Sequence, residues 1–190
     1  MASIKIGIIN QALTRTGNNV IATENDTTSE AVVTLANYEQ MVSNELSYPW
    51  NFAKKWAALN LNTETPLSTY RYSWRLPSDV LTVRRIGLRG GSQSIDFERD
   101  GQNIFCNSSQ DVIALYSYRP DEHLWPAYFN ELITQGMEWI CCKGLNESRT
   151  TAVDAKANFE RTRIVSRNTD SQQQSGREIF TSQLVEAHRG

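Results

Sequence analysis

The sequence predicts an α+β, mainly α fold: an antiparallel bundle of four helices, a small antiparallel β insertion between the second and third helices, and an extended C-terminal tail. Apolar residues recur at helical spacing up to residue 46 and again from residue 126, whereas between residues 54 and 119 they alternate with a period of two. Residues 171–176 carry no apolar side chain. We therefore expect a helical domain over residues 1–168, with its insertion at about 54–119, and a tail at 169–190.

The first two helices are predicted from apolar spacing and from their end signals. Ile4, Ile8 and Ala12 recur at helical spacing until a Thr-Gly-Asn-Asn sequence at residues 16–19, which predicts a helix over about residues 3–14. Thr27 and Glu30 have the spacing of a capping box, and they predict the start of a second helix that Pro49 ends. The apolar stripe of this second helix is Ala31, Leu35, Tyr38, Val42 and Leu46.

The predicted insertion consists of short alternating segments separated by turn residues. Its turns include Pro77-Ser78-Asp79, Gly90-Gly91 and Asp100-Gly101. The Asp-Gly pair favours a tight hairpin between the strands near Asp96 and Ile104.

The last two helices follow the insertion. Pro126 occupies a first-turn position, and the helical spacing after it predicts a third helix over about residues 126–145. Thr150 and Thr151 are candidate caps of a fourth helix, whose pattern fades near Asn168.

Composition restricts the class of protein. The chain has 190 residues, the length of one ordinary domain, and 39% of them are apolar. Its 19 basic and 21 acidic residues leave a formal charge of −2, so no overall charge attracts it to nucleic acid or to an anionic membrane. Three cysteines, two of them adjacent, do not form a disulfide framework. The apolar N-terminal stretch is too short for a signal peptide or a membrane span, and we expect no membrane association.

The sequence offers little for catalysis or metal binding. Its two histidines are His123, beside a helix start, and His188, near the end of the tail, and neither position is expected to be rigid. Adjacent helical residues point about 100° apart, so Cys141 and Cys142 cannot both face one ion, and we interpret them as structural thiols. We therefore predict no catalytic residues, no metal, no cofactor and no enzymatic activity.

One basic concentration stands out. It consists of Arg84, Arg85, Arg89 and Arg99, on a predicted strand and the turns near it. These arginines could contact DNA phosphates by charge alone. The alternative, which we favour, is a solvated strand face or an ion pair between subunits.

The C-terminal tail begins as a polar linker and ends in a small apolar cluster. The linker buries nothing that would offset the cost of ordering its backbone. The apolar cluster consists of Ile179, Phe180, Leu184 and Val185. If this segment becomes helical, Phe180 and Leu184 share one face, as in helix-in-groove recognition. We predict that the tail docks on a partner; the alternative is that it folds back on its own domain or frays.

Three motifs, in this order, carry a resemblance to a known family. They are Tyr48-Pro49-Trp50-Asn51-Phe52 after the second helix, Leu76-Pro77-Ser78-Asp79 in the insertion, and residues 159–172 at the exit of the last helix. The combination of all three in this order is specific, because unrelated helical proteins do not share it. Over nearly its whole length the chain resembles the head-to-tail adaptor proteins of short-tailed bacteriophages, the tail tubular protein A family.

The resemblance implies a structural virion protein, made in the host cytoplasm and located in the neck of the tail. Such adaptors form a ring, by analogy a dodecamer, that joins the portal protein to the tail nozzle protein and lets DNA pass with transient, non-specific contacts. Their C-terminal extension docks on the portal. That role maps here onto Arg177, Ile179, Phe180, Leu184 and Val185. The alternatives are a virion-associated hydrolase and a small DNA-binding regulatory protein.

Overall fold

The structure is a computed structural model that describes residues 3–91, 93–146 and 148–173. Its α-helices are α1 (Ile4–Arg15), α2 (Ser29–Leu46), α3 (Ala127–Gly144) and α4 (Arg149–Ser171). Its strands are β1 (Lys54–Ala58), β2 (Asn60–Leu61), β3 (Tyr72–Arg75), β4 (Thr82–Leu88), β5 (Glu98–Asp100), β6 (Asn103–Cys106) and β7 (Val112–Ser117). A single 3-10 turn, Glu122–Leu124, precedes α3 in this part of the chain.

The four helices lie where the apolar spacing predicts them, and α1 and α3 begin and end within one residue of expectation. Two caps differ from the prediction. Thr28, not Thr27, caps α2, and its hydroxyl accepts a hydrogen bond from the Ala31 amide at 3.3 Å. Ser148 caps α4 by accepting from the Thr151 amide at 3.4 Å, so this helix begins before the predicted threonines.

The strands form two antiparallel sheets. The first has three strands in the order β1-β7-β4, and the second has four in the order β2-β3-β6-β5. The predicted Asp-Gly hairpin is confirmed: β5 and β6 pair with Asp100 opposite Asn103, and Gly101 between them has φ +54. This positive φ is a conformation that glycine adopts without steric cost.

Two hydrophobic cores lie in the molecule. The helical core includes Ile9, Leu13, Trp50, Phe129 and Ile133, all fully buried. The β core is separate and includes Leu59, Trp74, Ile86, Ile104 and Tyr116. Each core combines residues that are distant in sequence, so both are products of tertiary packing.

The predicted mainly α four-helix bundle with a small β insertion is therefore wrong. Seven strands in two sheets, with a hydrophobic core of their own, are too much structure for a small insertion. The physical reason is that a period of two identifies strands but does not show how many sheets they form or which faces pack together. In addition, α4 contributes a single apolar residue, Phe159, to the helical core. This helix therefore packs on the outside of the core and supplies little of its apolar surface.

Candidate functional site at the C-terminal end of α4

A buried carboxylate holds the end of α4. Asp170, 2% exposed, lies in the last turn of the helix. Its Oδ2 accepts a hydrogen bond from the Asn51 backbone amide at 2.7 Å, and its Oδ1 accepts one from the Tyr128 hydroxyl at 2.8 Å. The Asp170 carbonyl also accepts from the Asn51 side-chain amide at 2.9 Å. One residue thus joins α4 both to α3 and to the segment that connects α2 with β1.

The first sheet reaches the same place through Arg84 on β4. Its Nη2 donates to the Trp50 carbonyl at 2.8 Å, and its Nε donates to the Ser117 hydroxyl at 2.7 Å. Burial lowers the pKa of Arg84, and the negative charge of Asp170 opposes this lowering. Arg84 and Asp170 therefore contact the adjacent residues Trp50 and Asn51, which link the helical region to the sheets.

An aromatic cluster forms the apolar wall beside these hydrogen bonds. Trp50 is completely buried, and its indole donates to the Glu45 carbonyl at 2.7 Å. Its ring lies 5.3 Å from that of Phe129 and 6.3 Å from that of Tyr128, centroid to centroid. Such packing excludes water, which strengthens the neighbouring hydrogen bonds and makes their loss more costly.

Further polar contacts hold α4 along its length. Glu45 on α2 is 3% exposed, and its Oε1 accepts from Arg163 Nη2 at 2.8 Å and from Arg163 Nε at 3.1 Å. The Arg163 guanidinium also lies 4.4 Å from the centroid of the Phe159 ring, and that of Arg167 lies 4.2 Å from the Tyr48 ring. The position of α4 therefore depends on directional contacts.

The fold gives the four arginines of the predicted basic cluster different environments. Arg84 is part-buried in the contacts just described, and Arg85 is part-buried and also has an interaction partner. Arg89 is exposed, and Arg99 is exposed while donating to the Gly101 carbonyl at 3.1 Å. Arg84 thus forms contacts within its own chain, and Arg89 and Arg99 are the members that present charge to solvent.

The predicted portal-docking residues, Arg177, Ile179, Phe180, Leu184 and Val185, lie outside the described residues. The stretch before them differs from the expected linker: α4 continues to Ser171, and residues up to Gln173 are described. Because Asp170 is buried and hydrogen-bonded, the last described turn of α4 lies close to Asn51 and Tyr128.

The candidates considered for catalysis do not come together. His123 is exposed in the 3-10 turn, and His188 lies outside the described residues. Burial raises the pKa of Cys141 to about 12 and also raises that of Cys142, so both thiols are protonated at neutral pH. Within residues 3–91, 93–146 and 148–173, no group of three or more His, Cys, Asp or Glu side chains could hold a metal ion.

No α-helix in the described part of the chain combines the length and apolarity that crossing a bilayer requires.

Sequence reasoning missed Asp170 and Tyr128 as site residues, and it quoted Asn51 only as part of a motif. Asp170 stands in a polar stretch without apolar periodicity, so nothing local marks it as buried. Its hydrogen-bond partner Asn51 is 119 residues away, a separation that no local pattern reports.

Comparison with known protein families found no match to this chain, and comparison with curated proteins likewise found none. Arguments about function therefore rest on the sequence motifs and on the geometry of the site.

Proposed function

We propose that this protein is a head-to-tail adaptor of a short-tailed bacteriophage. In this proposal it forms a ring between the portal protein and the tail nozzle protein, and its C-terminal tail docks on the portal. The protein is then a structural part of the virion and has no enzymatic role.

The observation that carries the proposal is the contact between two of the motifs on which the family resemblance rests. The segment Tyr48–Phe52 and the exit of the last helix are far apart in sequence, yet the Asn51 amide donates to Asp170 at 2.7 Å. An adaptor that docks by its tail needs a defined starting point for that tail, since every residue that is ordered on docking costs free energy. The buried Asp170 supplies such a point.

The charge distribution is compatible with a conduit for DNA. A formal charge of −2, with Arg84 occupied inside the subunit, gives little drive for tight phosphate binding, which would slow a passing duplex. A steep fall of DNA affinity with rising salt concentration would contradict this part of the proposal.

Portal binding tests the proposal directly. The full chain and a chain ending at Gln173 are incubated with portal rings encoded by the same genome and examined by sedimentation and negative-stain electron microscopy. The shorter chain keeps Asp170 and its contacts, so its fold is expected to persist, which circular dichroism checks. We expect the full chain to form rings on the portal and the shorter chain to fail. Equal binding, or no binding by either chain, would overturn the proposal.

A further inference from the structure

A groove between α2 and α3 has an apolar floor and a polar rim with one charged residue, Lys143. It encloses 380 Å³, and its floor is formed by Val33, Met41, Trp139 and Ile140. Its rim carries the amides Asn37, Gln40 and Asn44, together with Lys143 and Gly144. A floor of this kind favours an apolar side chain, while the amides can pair with an uncharged polar segment.

The two helices approach closely beside this groove. A Cβ at Gly144 would lie 2.9 Å from Val33 Cγ1, and one at Gly136 would lie 2.8 Å from Met41 Sδ. A Cβ at Gly144 would force Val33 to move, whereas one at Gly136 would require the flexible end of the Met41 side chain to shift. The two glycines therefore allow α2 and α3 to approach closely beside the groove.

The loop between β2 and β3 has the complementary composition. Leu67 on this loop is fully solvent-exposed, at 106% of its reference area, next to Pro66. Around it lie hydroxyl side chains, namely Thr63, Thr65, Ser68 and Thr69. The loop belongs to the second sheet, whose core is distinct from the helical core that carries the groove.

The charges also match. Within residues 62–70 the single charged side chain is Glu64, and the single charged residue lining the groove is Lys143. Neither forms an ion pair within the part of the chain that the structure describes; the Lys143 ammonium lies instead 5.9 Å from the centroid of the Trp139 ring. A loop seated with Leu67 in the groove could pair these two charges at the rim.

We infer that the β2–β3 loop of one subunit docks, through Leu67, in the α2–α3 groove of a second copy of this chain. Because loop and groove are different surfaces, each subunit keeps one of each free for a further neighbour, and a repeated contact of this kind gives a ring when the rotation between neighbours closes. This inference rests on the proposed function, because it names the contact between subunits of the adaptor ring.

Cysteine cross-linking tests the contact. Leu67→Cys and Asn37→Cys are combined in one full-length chain and oxidised with diamide on portal rings and in concentrated protein without portal. The native thiols interfere little, because all three cysteines are buried and burial raises their pKa values. We expect a ladder of disulfide-linked multimers on denaturing gels. The matched control joins Leu67→Cys with Val153→Cys, an exposed position on α4 outside the groove, and should give no ladder beyond dimers.

Charge exchange provides a second readout. Glu64→Lys or Lys143→Glu alone should weaken self-association by about 2- to 5-fold, and the double exchange should restore it. Leu67→Asp should weaken it by roughly 10-fold or more.

The outcomes separate this inference from the proposed function. Rings that form on the portal without the ladder, or a disulfide within one chain, would overturn the inference and leave the adaptor proposal standing. No assembly with or without the portal would overturn both.

Discussion

Helices α3 and α4 pack on the same core, but they are held in different ways. The buried residues of α3 are mostly apolar and include Phe129, Leu132 and Ile133, whereas α4 buries one apolar residue, Phe159, and two polar ones, Ser166 and Asp170. Burial of apolar surface is strong but not directional, while hydrogen bonds and ion pairs fix geometry. The difference suggests that α3 supplies stability and that the contacts of α4 define where the C-terminal tail begins.

Removing an apolar anchor of α3 should have the largest effect. Phe129→Ala deletes a fully buried ring that contacts Trp50, Phe52 and Trp125, and we expect it to lower the free energy of unfolding by about 3–5 kcal/mol. Urea unfolding measures this loss. Val153→Ala, at a 60% exposed position of α4, is the control and should change stability by less than about 0.5 kcal/mol. A similar small loss for Phe129→Ala would contradict the assignment of stability to α3.

Breaking the Glu45–Arg163 pair comes next. Glu45→Ala leaves the Arg163 guanidinium without its main partner, and we expect a loss of about 2–3 kcal/mol, below the range for fully buried pairs because the Arg163 side chain is 24% exposed. Glu160→Ala removes the other carboxylate that pairs with Arg163. Since the Glu160 side chain is 47% exposed, this change should lower the free energy of unfolding by less than about 1 kcal/mol. Urea unfolding measures both losses. Equal effects of the two changes would show that burial of Glu45 does not matter.

Asp170→Asn should destabilise the protein by about 1–3 kcal/mol, because the amide nitrogen replaces an acceptor that faces either the Asn51 amide or the Tyr128 hydroxyl. Hydrogen exchange measured by mass spectrometry should show faster exchange in the last turn of α4. Asp154→Asn, at an exposed position near the start of α4, is the matched control and should leave that exchange unchanged. If hydrogen exchange in the last turn of α4 is unaltered in Asp170→Asn, this carboxylate does not hold the end of the helix.

Alkaline pH should destabilise the protein through its buried tyrosines, including Tyr128, which donates a hydrogen bond to Asp170. Burial, and then the hydrogen bond to Asp170, raise the pKa of Tyr128, and burial also raises that of Tyr38. Above about pH 10 the unfolded tyrosines lose protons that the folded ones retain, so the contribution of these two tyrosines to stability should be constant below this pH and fall above it. Urea titrations from pH 8 to 11 would measure the slope. Tyr128→Phe should make it shallower, and an identical slope would contradict the assignment.

Tyr38→Phe should have the smallest effect. The Tyr38 hydroxyl is buried, and it has no hydrogen-bond partner among the described residues. Removing an unsatisfied polar group does not break a hydrogen bond, so we expect a change in stability within about 0.5 kcal/mol, or a slight gain. A clear loss would reveal a partner for this hydroxyl.

The sequence predicted the positions of the helices well, but it did not predict the long-range contacts of the strands and of α4. The positions of α1 and α3 follow from local apolar spacing, which the chain shows without help from distant residues. The two sheets did not follow, because the pairing of β1 with β7 joins Lys54 to Ser117 and depends on contacts far apart in sequence. The burial of Asp170 was also not predicted, because it depends on Asn51 and Tyr128, which are distant in sequence. The residues next to Asp170 are polar and do not indicate a buried position.

The affinity of full-length Asp170→Ala for portal rings, compared with that of the unchanged protein, would show whether Asp170 sets the start of the docking tail. If Asp170 fixes the origin of a docking tail, freeing the helix end adds chain that must be ordered on binding, and affinity should fall by roughly 10-fold or more while the core stays folded. Equal affinity of the two proteins, with the end of α4 released in the variant, would show that Asp170 does not set the start of the docking tail.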